Sequence, residues 1–231
     1  MMRVAENLAS VRERIALACQ RAGRREDEVR LLAVSKFTDT ERIYEAIACG
    51  QLLFGENRAQ ELHEKKTFFE NHACSVHFIG QLQTNKIKYV CGTAETVESV
   101  DRLPLAKAIS ERAQTLGIVQ NIMIQVNIGE ETQKGGISDA DLLRFTEELL
   151  SLGNLRVTGL MCVPPALSPE EVRPYFCRMY QMRDLLKTRF PGLPAEELSM
   201  GMSHDFEVAI EEGATIVRVG TGIFGARRVG V

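Results

Sequence analysis

The chain has 231 residues, 45% of them hydrophobic and 26% charged, with a formal net charge of -3. This is an ordinary globular composition, able to bury a sizeable core, and it argues against disorder. A nucleic-acid binder would carry a basic stripe interleaved with aromatics, but no basic run exceeds a pair such as Arg24–Arg25 or Lys65–Lys66, Trp is absent and Tyr numbers 4.

No apolar run approaches the roughly 20 residues that cross a bilayer. Arg3, Glu6, Arg12 and Glu13 interrupt any signal-peptide core. A cytoplasmic protein with neither membrane nor nucleic acid as partner is therefore expected, with a monomer as the default state. The six Cys, at 19, 49, 74, 91, 162 and 177, form no C-x-x-C pair and have no His at ligand spacing. They are expected to be reduced, mostly buried small hydrophobes, and no metal site is expected.

In chain order, the first predicted element is a helix from about Val4 to Ala22. The apolar run Leu31–Val34 then predicts a strand over Leu31–Lys36. Thr38 with Glu41 fits a capping box for a helix whose Ile43 and Ile47 share one face, and Gly50 can close it in the left-handed conformation. Further strands are predicted at Leu52–Gly55, Val76–Gly80, Ala94–Ser99 and Ile122–Ile128. Ser138 begins a helix with Leu142, Phe145 and Leu149 as its inward stripe and Gly153 after it. Strands at Arg156–Val163 and Glu197–Gly201 follow, then a helix from His204 to Glu212 ended by Gly213, and a last strand at Thr215–Gly220.

Eight strands alternating with helices, several with continuous apolar cores, fit parallel strands covered on both sides. The predicted fold is α/β: a single TIM-type (β/α)8 barrel over residues 1–231, with an extra N-terminal helix. An open doubly wound sheet is the alternative. It is weakened because no G-x-G-x-x-G follows the first strand; the Gly-rich segment Gly220–Thr221–Gly222–Ile223–Phe224–Gly225 follows the last.

Two places carry chemistry. Lys36 is predicted at the C-terminal edge of strand 1, where barrel active sites are built, and alternation places Leu32, Val34 and Lys36 on one face. There burial disfavours the charged amine and frees it to attack a carbonyl; the alternative is a Lys that snorkels to water. On the last strand Arg218 and Gly220 share a face, and barrel closure sets them beside strand 1. Two cations at one mouth ask for an anion. Gly220, the Thr221 hydroxyl and the turn beyond suit a phosphate, with Ser199 contributed by strand 7. A Gly-rich closure with Arg218 in a structural ion pair is the competing account. His77 is read as a structural histidine and Glu56 as the start of the following helix, so no catalytic residue is assigned.

The run Leu31–Leu32–Ala33–Val34–Ser35–Lys36 is followed by Phe54–Gly55–Glu56–Asn57 with Gln60–Glu61, and by His77–Phe78–Ile79–Gly80 with Leu82–Gln83 and Asn85–Lys86. Next come Gln125–Val126–Asn127, Lys134 with Gly136–Ile137, Gly159–Leu160–Met161, Leu198 through Ser203, and Arg218 through Arg227. In these motifs, in this order and over nearly its whole length, the chain resembles the pyridoxal phosphate homeostasis proteins, the alanine-racemase-like barrel family. The resemblance implies a fold-type-III barrel like the N-terminal domain of alanine racemase, standing without that enzyme's second domain.

It also implies pyridoxal 5′-phosphate (PLP) as cofactor, held as a Schiff base on Lys36. Ser199, Gly220 and Thr221 match positions that hold the phosphate, Arg218 the Arg facing the pyridine nitrogen, and Asn57 a residue at the cofactor's edge. Gln81, Thr84 and His204 depart from the matched pattern away from that grip.

A guanidinium has no acceptor, so a pyridine nitrogen facing Arg218 stays unprotonated and the ring is a poor electron sink. A racemase of this type needs a second base on the other face; in alanine racemase it is a Tyr from another domain. Here Tyr44, Tyr89, Tyr175 and Tyr180 all fall in predicted helices. Three functions are expected in order: a PLP carrier in vitamin B6 homeostasis, with PLP and apo PLP-dependent enzymes as partners; an amino-acid racemase on the same cofactor; and a class I aldolase using Lys36 without one.

Overall fold

The computed structural model describes residues 4–131, 133 and 135–225. Arg3, Lys134, Ala226 and Arg227, named above, lie outside these. All eight predicted strands are present, as β1 (Arg30–Val34), β2 (Leu53–Glu56), β3 (Ser75–Phe78), β4 (Thr96–Val100), β5 (Gln120–Val126), β6 (Leu155–Cys162), β7 (Glu197–Ser199) and β8 (Ile216–Val219). They pair in parallel in sequence order and close into a barrel through β1 and β8, where Leu32 lies opposite Arg218 and Ala33 opposite Val219. The open-sheet alternative is thereby ruled out.

The helices are α1 (Val4–Arg21), α2 (Thr40–Ala48), α3 (Ala59–Asn71), α4 (Ile87–Val90), α5 (Leu103–Leu116), α6 (Leu142–Leu150), α7 (Pro169–Arg189), α8 (Phe206–Glu211) and α9 (Thr221–Phe224). Period-two alternation sorts the strand residues into two cores. Ala33, Phe54, Phe78, Val97, Leu160, Leu198, Val217 and Val219 pack outward under the helices. Leu32, Val34, Met123, Met161 and Ile216 fill the interior. Burying one such side chain stabilises by about 1.5–3 kcal/mol.

Among the described residues after β8 the one helix is the four-residue α9, too short to cover the β8–β1 seam. α1 takes that place, packing against α8, α9 and α2 with Leu8, Val11, Ile15 and Ala18 buried. Arg14 forms a two-point ion pair with Glu207 of α8 and lies over the Phe206 ring, while Asn7 Nδ2 donates to the Ile223 carbonyl of α9. The extra N-terminal helix thus completes the outer ring and braces the two elements that follow β7 and β8.

Three local expectations are corrected. α2 is capped by Asp39, whose Oδ1 accepts the Arg42 N–H at 2.9 Å. Thr38 is instead buried, its N–H turned back to the Ser35 carbonyl, so the helix starts one residue later than a Thr38 cap requires. Strand β7 stops at Ser199 because Gly201 turns left-handed (φ +89°), where a Cβ would lie 2.5 Å from that of Ala209. Glu56 belongs to β2 and is fully buried, so it does not begin the helix after it.

Candidate functional site

Lys36 stands two residues beyond β1, in the turn that leads to α2, and is half-buried. It lines a cavity of about 260 Å³ with Val34, Ile79, Met202, Ser203 and Arg218, closed on the β8 side by Gly220 and Thr221. The two predicted cations therefore do meet at one mouth. A second recess of about 210 Å³ shares Val34, Lys36, Gly220 and Thr221 with it and adds Thr38 and Arg42. A larger groove, about 640 Å³, opens around Arg24, Tyr180, Arg183 and Glu212. It lies away from Lys36, and its arginines are already paired, Arg24 with Glu28 and Arg183 with Asp184.

Beneath the cavity runs a buried polar chain. Arg218, 4% exposed, donates from Nη2 to the Cys162 carbonyl (2.7 Å) and from Nη1 to Ser199 Oγ (2.8 Å). Ser199 donates to Glu98 Oε2 (2.6 Å), whose Oε1 lies 2.6 Å from His77 Nδ1. Burial pushes the Glu98 carboxyl upward, but the hydrogen bond from His77, the Arg218 charge and the Ser199 hydroxyl outweigh it and hold the group below the usual carboxylate range. Ser199 is fully buried and is absent from the residues that line the cavity, its hydroxyl taken up between Glu98 and Arg218.

The hydroxyl at the cavity is Ser203, 3.2 Å from Thr221 Oγ1. Alternation along a straight strand cannot find it, because the chain turns left-handed at Gly201, but it lies within the matched run Leu198 to Ser203. Asp205 fastens this turn by accepting the Met202 N–H at 2.5 Å, and burial raises its carboxyl. Asn57 follows β2, and its Oδ1 is buried with no hydrogen-bond partner among the described residues, an acceptor left for a ligand or water. His77 is placed in the buried chain as a structural histidine. Among the described residues no cluster of His, Cys, Asp and Glu could hold a metal, and all six Cys are free, with Cys19, Cys91 and Cys162 buried.

Lys36, Arg218, the Ser203–Thr221 hydroxyl pair and a glycine held close to Val34 stand together at the C-terminal end of a parallel barrel, residue types suited to an anion and, through the Lys36 amine, to a carbonyl. The family model for the alanine racemase N-terminal domain matches residues 7–228. The Aquifex aeolicus pyridoxal phosphate homeostasis protein is 48% identical over 228 residues, covering 98% of this chain and all of that one. The solved structure of PipY from Synechococcus elongatus with PLP bound superposes with a TM-score of 0.85 at 34% identity, over 96% of this chain and all of that one. Alanine racemase of Corynebacterium glutamicum, at 16% identity and a TM-score of 0.66, shares the barrel over 62% of its length. The chain belongs to the pyridoxal phosphate homeostasis protein family.

Proposed function

We propose that this protein holds PLP covalently on Lys36 and serves its homeostasis by buffering or delivering it, as a single cytoplasmic barrel domain that works as a monomer and has apo PLP-dependent enzymes as recipients. The observation that carries the proposal is the convergence of Lys36, Arg218, Gly220, Thr221 and Ser203 on one cavity, in a chain that is similar over its length to a relative solved with PLP bound.

The donor set fits the group. Ser203 and Thr221 offer two hydroxyls, and the Thr221 and Gly222 N–H groups precede those of Ile223 and Phe224 that the Gly220 carbonyl accepts, which suits a phosphate. Ser203, which lines the cavity, would take the phosphate in place of the buried Ser199, and Ser199 with Glu98 orients the Arg218 guanidinium. Arg218 would face the ring nitrogen with its remaining donors, and Asn57, which is not among the residues that line the cavity, would lie at the cofactor's edge. When bound, PLP supplies an aldehyde that the Lys36 amine can hold covalently and reversibly.

The four tyrosines lie on α2, α4 and α7, and none lines the cavity. A carrier therefore fits these residues better than a racemase of the alanine racemase type. No helix among the described residues is long and apolar enough to cross a membrane.

The deciding experiment mixes PLP-loaded protein with an apo-enzyme that needs PLP. Activation faster than by the same concentration of free PLP is expected. Activation no faster than that, or amino-acid racemisation at ordinary enzyme rates of about 1 per second or more, would overturn the carrier function.

A further inference from the structure

Lys65 belongs to a pair that looks, in sequence, like ordinary surface charge, yet it is 9% exposed and its ammonium makes three bonds. It donates to the Ser35 carbonyl (2.9 Å), to Glu56 Oε1 (2.9 Å) and to Glu61 Oε1 (2.7 Å). The same two carboxylates reach back to the segment that bears Lys36. Glu56 Oε1 accepts from Ser35 Oγ (2.7 Å), and Glu61 Oε1 accepts the Phe37 N–H (2.6 Å). The residues on either side of Lys36 are thus tied to one ammonium of α3 and its two carboxylates.

Between these ties the backbone is strained. Phe37 has φ +59°, a left-handed conformation that an aromatic residue seldom adopts and that costs about 1–3 kcal/mol unless its surroundings enforce it. Its ring is half exposed, with the Arg58 guanidinium 5.5 Å from its centroid, so burial of the ring is not what enforces the conformation. The turn bond from the Thr38 N–H to the Ser35 carbonyl and the hydrogen bonds that Glu56 accepts from Ser35 and Glu61 from Phe37 enforce it, and both carboxylates and the Ser35 carbonyl meet at Lys65.

We propose that Lys65 is a positioning residue for Lys36: with Glu56 and Glu61 it holds the Ser35–Phe37 turn in its strained form and so sets how fast the Lys36 amine captures a carbonyl ligand. This inference rests on Lys36 being the PLP lysine. In capture the Nζ lone pair forms a bond to the aldehyde carbon, both amine protons leave with the aldehyde oxygen as water, and a C=N bond remains. No oxidant or third reactant enters. The step depends on where the amine sits, and a displacement of about 1 Å can slow such a step roughly a hundredfold.

The test compares wild type, Lys65→Met, Lys65→Arg, Glu61→Gln and Lys36→Ala, reading the absorbance change on adding PLP and, separately, the affinity for 4′-deoxypyridoxine phosphate, which has the ring and phosphate but no aldehyde. Lys65→Met is expected to slow capture roughly ten- to a hundredfold, with the affinity for the deoxy ligand within about twofold of wild type and with partial recovery in Lys65→Arg. Should Lys65→Met fail to fold, Glu61→Gln decides alone, with the same separation and a smaller slowing. Unchanged capture in the folded variants overturns the inference, and so does an equal loss for both ligands, which marks a structural role only. Failure of the underlying function is distinguishable: wild type would then give no absorbance change that Lys36→Ala abolishes.

Discussion

At Gly220 a side chain would begin 3.3 Å from both the Cβ and the carbonyl oxygen of Val34, so the cavity wall there is backbone, open to close approach by an anion. Gly220→Val is expected to weaken phosphate-end binding at least tenfold in a titration with inorganic phosphate. Thr221→Val removes one hydroxyl of the pair with Ser203; a hydrogen bond to a charged group is worth about 1.5–3 kcal/mol. PLP affinity should therefore fall roughly ten- to a hundredfold, while the melting temperature barely moves because Thr221 is exposed. Lys36, Arg218, Gly220 and Thr221 were legible in the sequence because each sits on or just past a strand whose face alternation defines. Ser203 and Lys65 were not. The first follows a left-handed turn, and the second is buried only by contacts with a turn distant in sequence.

The strands themselves follow from period-two patterning, but the polar chain inside the barrel does not, since His77, Glu98, Ser199 and Arg218 sit on β3, β4, β7 and β8 and only closure joins them. Glu98 has a folded pKa below its usual range. The stability it contributes is complete above the ordinary glutamate value of about 4.3 and is lost as pH falls from there through the lower folded value. Glu56 has the opposite sign: burial raises its carboxyl, so its contribution declines as pH rises through the raised value. In melting curves between neutral and acid pH, Glu98→Gln should show a shallower acid loss than wild type; equal slopes would remove Glu98 from the account. Glu98→Ala, which leaves Arg218 without its buried counter-charge, should cost about 3–5 kcal/mol in denaturant unfolding.

Across the whole molecule, the alternation of strands and helices was enough to indicate a closed barrel, while the task of α1 became visible only in three dimensions. A sequence shows an amphipathic leading helix; it does not show that α9 is too short to cover the β8–β1 seam. Because α1 fills that gap, Leu8→Ala, at a fully buried position, should cost about 2–5 kcal/mol of stability. Urea unfolding measures it, and a cost under about 1 kcal/mol would mean that the seam is covered some other way. The covalent hold on PLP proposed for Lys36 would unite the fold, the cavity and the family, and it is tested by incubating the protein with PLP, reducing with borohydride and mapping the labelled peptide. The mark is expected on Lys36 and should vanish in Lys36→Ala. A mark on Lys65 or another lysine, or none at all, would contradict the account.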